Sequence, residues 1–264
     1  MTTSSYVSDI FYNVLGGAIV ALGTLSAQYL RRKYRNRKFK QVFGEDVDQN
    51  YNIVYPTYLT SPETVFEMPP SQVTRERHGT GRLTVVNSTA ASRSISHLGY
   101  TIGTNAKRSP HIKAHTEVDE DWGISFISIG GLNNFKSVDL LNDPANSFIR
   151  FGPPPFNTIV TSNSGSILVQ LRERGVDYGL IVKINPTNNL NRIWICCAGF
   201  LEWGTSGAAW WLANRWKEEI YPRARNRPFA CITRTQVGSD ESTTLLQFFL
   251  SGEEAENAAS MHRT

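Results

Sequence analysis

SFISIGGLNN, residues 125–134, is a run of strand formers that stops at two glycines and continues into two asparagines. A strand over 124–129, a turn at Gly130 and Gly131, and a short helix capped by Asn133 or Asn134 and running to about Leu141 account for the pattern. Glycine at such a turn removes the Cβ that would hold a ligand oxygen off the backbone. The helix start adds unpaired amides and a partial positive charge. The same order of elements returns about seventy residues later. RIWICCA at 192–198 reads as an apolar strand, GFLEWGTSG follows it, and AAWWLANRWKEEIY reads as a helix with Thr205 or Ser206 as its cap.

Working outward, YNIVY at 51–55 is a first strand stopped by Pro56. Residues 57–81 are rich in Pro, Thr, Ser, Glu and Gly and read as a long surface loop. Apolar positions between Leu83 and Leu98 follow helical spacing, with Gly99 as the C-terminal cap. The polar segment 104–121 is expected to be exposed. Short strands are expected at 147–151, 167–171, 178–184, 229–233 and 243–250, the 178–198 region forming an antiparallel hairpin. Strands alternating with helices, the strands nearly continuous in apolar residues, predict one α/β domain. The expected sheet is Rossmann-like and mostly parallel with helices on both faces, over residues 41–250, followed by a polar tail at 251–264.

Forty per cent hydrophobic residues and 6 Trp, 10 Tyr and 13 Phe in 264 residues suffice for a sizeable core. Residues 31–40, RRKYRNRKFK, carry seven of the 27 Lys and Arg and none of the 23 Asp and Glu. Without them the balance is 20 basic against 23 acidic, which argues against a domain that spreads cations over a nucleic-acid-binding face. Cys196, Cys197 and Cys231 lack CxxC spacing and sit in apolar runs, so they read as buried thiols in a reducing compartment. His111, His115, Glu117 and Asp119 imitate a metal cluster but lie in a charged, irregular segment and read as surface residues, so no metal site is assigned.

Residues 1–9 form a short tail ahead of Ile10–Leu30, 21 residues without a charge. At about 1.5 Å per residue they reach about 30 Å, the thickness of a bilayer core. An amphipathic or buried helix is the alternative reading. The basic run 31–40 follows this segment rather than preceding it, which fits a single-pass transmembrane helix better than a cleaved signal. Positive charge on the C-terminal side places the domain in the cytoplasm, with the basic juxtamembrane run against anionic lipid headgroups of the cell inner membrane. Gly17 and Ala21, then Gly23 and Ala27, have the small-residue spacing that lets such helices pair, hence an expected homo-oligomer.

In open parallel sheets, ligands bind beyond the carboxyl ends of the strands. The expected binding set is therefore Tyr55, Gly130, Gly131, Asn133, Asn134, Gly199, Glu202, Thr205 and Ser206. Neither glycine loop matches GxGxxG or the Walker pattern, and tight packing is the competing explanation for both. Glu202, between Leu201 and Trp203, is the candidate catalytic carboxylate, a base or nucleophile, or else an acceptor for a ribose hydroxyl.

An N-terminal membrane helix, ISIGGLNN after a central strand and CCAGFLEWGTSGAAWWL after a later one together resemble the Rossmannoid nucleotide-recognising modules of bacterial membrane-tethered immune effectors, near the TIR, SLOG and deoxyribosyltransferase-like groups. The resemblance covers about residues 50–250. It implies a role in antiviral defence, phosphate on Gly130, Gly131 and Asn133, and sugar on Glu202 or Thr205. The expected function is a membrane-anchored sensor that binds a nucleotide-like ligand, with no further cofactor assigned. The alternatives are an enzyme cleaving the N-glycosidic bond of a nucleotide or NAD, and a structural membrane protein without a ligand.

Overall fold

The computed structural model describes residues 3–49, 51–60, 74–76, 84–118, 121–171 and 173–261, without side chains for 3–19, 31–32, 58–60, 74–76 and 84–87. A single long helix, α1 (Thr3–Phe43), leads into β1 (Tyr51–Tyr55). Three short strands, β2 (Tyr58–Thr60), β3 (Thr74–Glu76) and β4 (Thr84–Asn87), form a small antiparallel sheet. Then come α2 (Thr89–Asn105), β5 (His111–Ala114), β6 (Ser125–Ile129) and α3 (Phe135–Asn142). A second antiparallel sheet follows, made of β7 (Ile149–Phe151), β8 (Thr158–Thr161) and β9 (Ile167–Gln170). The chain closes with β10 (Val176–Ile184), β11 (Trp194–Gly199), α4 (Glu202–Arg215), a π-helical turn over Trp216–Ile220, α5 (Tyr221–Ala224), β12 (Phe229–Gln236), β13 (Ser239–Phe249) and α6 (Gly252–Met261).

The main sheet has the order β13-β12-β10-β11-β6-β1-β5. β11, β6, β1 and β5 run parallel, whereas β10, β12 and β13 add three antiparallel pairings. The α/β class is as expected, but the sheet is mixed. The expected 178–198 hairpin is the joint at which parallel pairing gives way to antiparallel. Alternate residues feed two cores. Ile53, Ile127, Ile181, Ile195 and Cys197 face α1, α2 and α4, while Val54, Phe126, Leu180, Val182 and Cys196 face α3, α6 and the β7–β9 sheet. The three thiols are free and buried.

Several boundaries differ from expectation for identifiable reasons. The helix expected from Leu83 begins at Thr89, because Ser88 accepts a hydrogen bond from the Ala91 amide at 3.1 Å, and it runs through Gly99. The segment expected to be an exposed loop supplies β5, an edge strand whose parallel partner is β1. The expected polar tail forms α6, held by buried Ala255 and Ala259 one turn apart. The core also reaches upstream of residue 41. Phe39, Val42 and Phe43 of α1 are fully buried, with Phe39 and Phe43 stacked at 4.3 Å and edge-on to Trp216. Among the described residues no helix is long and apolar enough to cross a membrane. Of the expected span at 10–30, the side chains of residues 10–19 lie outside the description.

Candidate functional site

The crossovers from β1 through α2 to β5 and from β6 through α3 toward β11 leave in opposite directions along the sheet. Strand order therefore reverses between β1 and β6. A hollow of about 580 Å³ opens there, beyond the carboxyl ends of β1, β6 and β11. Its floor carries Pro56, the loop Gly130–Asn133, Gly199, Glu202 and Thr205, and its walls carry Phe151, Phe156 and Phe200. Phe151 and Phe200 lie 6.0 Å apart at a tilt of 55°. Phe156 has a left-handed backbone, φ 60°, a conformation that side-chain-bearing residues hold only under constraint.

Three helices start at this rim, and their free amides are treated differently. At α4, Asp177 at the start of β10 reaches over as a built-in anion. Its buried carboxylate accepts from the amides of Leu201 at 3.2 Å and Gly204 at 2.5 Å, and from its neighbour Tyr178 at 2.8 Å. Burial pushes the Asp177 carboxyl above the usual range, opposed by amide bonds from Gly204, Tyr178, Leu201 and Trp203. Thr205 and Ser206, expected as caps, lie inside the helix instead. The glycines here serve close packing, because a Cβ on Gly199 would stand 2.3 Å from the Thr205 amide nitrogen, and one on Gly204 would stand 2.3 Å from the Tyr178 carbonyl. At α2, the Glu202 carboxylate accepts from Thr89 Oγ1 at 3.1 and 3.2 Å, between two positive helix ends.

At α3 no carboxylate among the described residues intervenes. Asn134 Oδ1 accepts from the Lys136 amide at 3.1 Å, and His115 Nδ1 accepts from the Phe135 amide at 3.3 Å. The amides of Gly131 and Leu132, both residues lining the hollow, donate to nothing among the described residues. Gly130, at φ +87°, makes this turn possible.

Of the expected site residues, Gly130, Gly131, Asn133, Gly199, Glu202 and Thr205 line the hollow, and Tyr55, Asn134 and Ser206 do not. Pro56 takes the place of Tyr55. Asn134 is buried and structural, its Nδ2 donating at 2.9 Å to both Val54 and Ile129 carbonyls and so tying β1 to β6. Ser206 is fully buried and donates to Asp240 at 2.5 Å. Arg93 stacks 4.0 Å above Trp203 and also reaches Asp240, while His97 meets the same carboxylate at 3.2 Å. Burial would raise the Asp240 carboxyl, but hydrogen bonds from His97 and Ser206 and the Arg93 charge hold it below the usual range. The aspartate stands between serine and histidine, so this seam is no nucleophilic triad.

His115 is buried and stacked on Phe135 at 4.3 Å, and Glu117 accepts from the Ala114 amide at 2.6 Å. Asp119 lies outside the described residues, among which no cluster suited to a metal ion occurs. Sequence reasoning missed the aromatic wall. Its one trace is the run PPPF at 153–156, a stiff turn carrying an aromatic tip.

Among the described lining residues Glu202 is the only charged one. Such a hollow can hold a flat ring against its phenylalanines, accept hydroxyl protons on Glu202 and donate two amides to one ligand oxygen. Among the described residues it offers no cation to a polyphosphate. No protein-family model matches the chain, and neither a curated protein nor a solved structure matches it.

Proposed function

We propose that this protein is a membrane-anchored sensor whose α/β domain binds a nucleotide-like ligand carrying at most one phosphate, and passes the binding event to α1. The observation that carries this reading is the hollow at the sheet's switch point, with aromatic walls and, among the described residues, one carboxylate and two amides lacking acceptors. The base stacks on Phe151 and Phe200, the ribose hydroxyls donate to Glu202, and a phosphate oxygen takes the Gly131 and Leu132 amides.

Anchoring is supported by α1 itself. Val20, Leu22, Leu25 and Leu30 are 62–69% exposed and point in several directions around the helix, a pattern that no single packing face satisfies. A bilayer, or paired copies of α1 within it, covers such a surface. Coupling is supported by α4, which begins at the hollow with Glu202 and runs into the π-helical turn whose first residue, Trp216, packs against Phe39 and Phe43 of α1. Fourteen residues of helix make a rigid link of about 21 Å between ligand and anchor.

Calorimetric titration of the full chain in detergent with adenosine, guanosine, their monophosphates, NAD and ATP tests the reading. Nucleosides or monophosphates should bind, and ATP more weakly. Glu202→Ala should weaken binding about tenfold, or about 1.4 kcal/mol. Absence of binding to every compound sinks the proposal. Release of free base that stops in Glu202→Gln would replace the sensor by the glycosidic-bond-cleaving enzyme.

A further inference from the structure

A second hollow, of about 340 Å³, lies where α1 meets the turn after α5. It is lined by Tyr34, Arg37, Lys38 and Gln41 of α1 and by Tyr221, Arg225 and Asn226. Among the described residues three cations converge on it and no carboxylate does. Of the nearby basic residues, Arg223 is paired with Glu219 at 2.9 Å, Lys217 with Glu218 at 3.8 Å and Lys40 with Asp48 at 2.9 Å, while Arg227 donates to the Arg223 carbonyl at 2.8 Å. Arg37, Lys38 and Arg225 form no ion pair among the described residues. Lys38 is instead held between two rings, its Nζ 4.5 Å from the centre of Tyr34 and 4.8 Å from that of Tyr221.

The backbone of Arg225 sharpens the point. It has φ 52° and ψ −119°, an unfavourable conformation for a residue with a side chain, which persists where the surroundings impose it. Like charges gathered from two elements, one of them on a strained residue, are stabilised by an anion between them. We infer that this hollow is a phosphate site, and that its ligand is the phosphorylated headgroup of an anionic membrane lipid.

The choice of a lipid rests on the anchoring of α1 proposed above and on position along that helix. Tyr34, Arg37 and Lys38 follow Leu30, the end of the uncharged segment, by about 6, 10 and 12 Å of helical rise. A headgroup layer extends about 5–8 Å beyond the hydrocarbon core on each side, so Tyr34 lies within it, and the backbones of the two cations lie a few Å beyond it, from where Lys38 reaches back to the Tyr34 ring. A lipid phosphate there joins α1 to the α5 turn, fixing the tilt of the domain on the membrane.

The test uses the full chain in a non-ionic detergent, with its melting temperature followed as short-chain lipids are added. Dioctanoyl phosphatidic acid and dioctanoyl phosphatidylinositol 4-phosphate should stabilise it at concentrations at least tenfold below those needed with dioctanoyl phosphatidylcholine. Arg37→Gln and Arg225→Gln, one on each element, should each raise the half-saturating concentration about threefold, and the triple variant with Lys38→Gln should abolish the preference. Lys33→Gln/Arg35→Gln/Arg227→Gln, which removes as much charge from described residues that do not line the hollow, should keep it. Equal loss in that control would overturn the site in favour of general charge attraction. Inorganic phosphate acting as well as the lipids would overturn the lipid source, and so would an oligonucleotide whose binding the triple variant abolishes. Separately, carbonate extraction from phosphatidylcholine vesicles reads the anchor alone. A chain released by carbonate refutes anchoring, and with it the lipid assignment, while the detergent titration still reads the hollow.

Discussion

Lys183→Met is expected to stabilise the protein at pH 7 and to remove a rise in stability between pH 7 and pH 10. Lys183 lies on β10, fully buried, and its Nζ donates to the Gln41 carbonyl of α1 at 3.0 Å. Burial pulls its pKa down from 10.5 to about 7. The sign follows from proton counting. Between about pH 7 and 10.4 the unfolded chain holds this proton and the folded chain has released it, so unfolding takes up a proton and raising the pH favours the folded state. Each pH unit contributes up to about 1.4 kcal/mol, and the full interval about 3–5 kcal/mol. At and below pH 7 the folded protein carries the whole penalty of a buried ammonium, softened by the negative end of α1. Methionine fills similar space with no charge, and loses only the bond to Gln41, about 1 kcal/mol. Melting curves at pH 6, 7, 8, 9 and 10 should therefore show wild type gaining about 10 °C relative to the variant across the upper range. Parallel pH profiles would refute the assignment.

Much of the sheet was legible because its signals are local. β6 and α3 follow from an apolar run, a glycine pair and a capping asparagine within ten residues, and Asn134 does cap α3. β5 was not legible, since HIKA buries only Ala114 and its strand character comes from pairing with β1, sixty residues upstream in sequence. α6 was missed for a related reason, an apolar stripe reduced to two alanines. The glycines at 199 and 204 carry the same local signature as a phosphate loop, and only the closeness of the Thr205 and Tyr178 backbones, supplied by the fold, shows them to be packing. The hollow is half legible in the same sense. The strand-end loops announce themselves, whereas the aromatic wall arrives from a separate antiparallel sheet that no periodicity ties to β6.

Asp177→Ala is expected to lower stability by about 3–4 kcal/mol, a fall of roughly 10 °C in melting temperature. The start of α4 has no capping side chain of its own, and its amides were the obvious place for an external anion. Asp177 holds that place. It serves Leu201, Gly204 and Tyr178 with one buried carboxylate, and removing it leaves those amides enclosed without acceptors. Asp177→Asn should fall between, because the amide offers one oxygen and turns an NH₂ toward donors. The pH dependence runs opposite to that of Lys183. A carboxyl raised above its unfolded value of about 3.9 contributes stability that is full below that value and declines as pH rises through the folded one, and neither variant retains this contribution. The decisive measurement is chemical rescue. Alanine leaves a space of carboxylate size against three amides, so acetate or formate should raise the melting temperature of Asp177→Ala and leave wild type unchanged. Equal response of the two proteins would mean that the aspartate is not acting as an anion. A rescued variant that also recovers ligand binding would show that the aspartate serves the hollow through α4 alone, by holding the turn that carries Glu202 and Thr205.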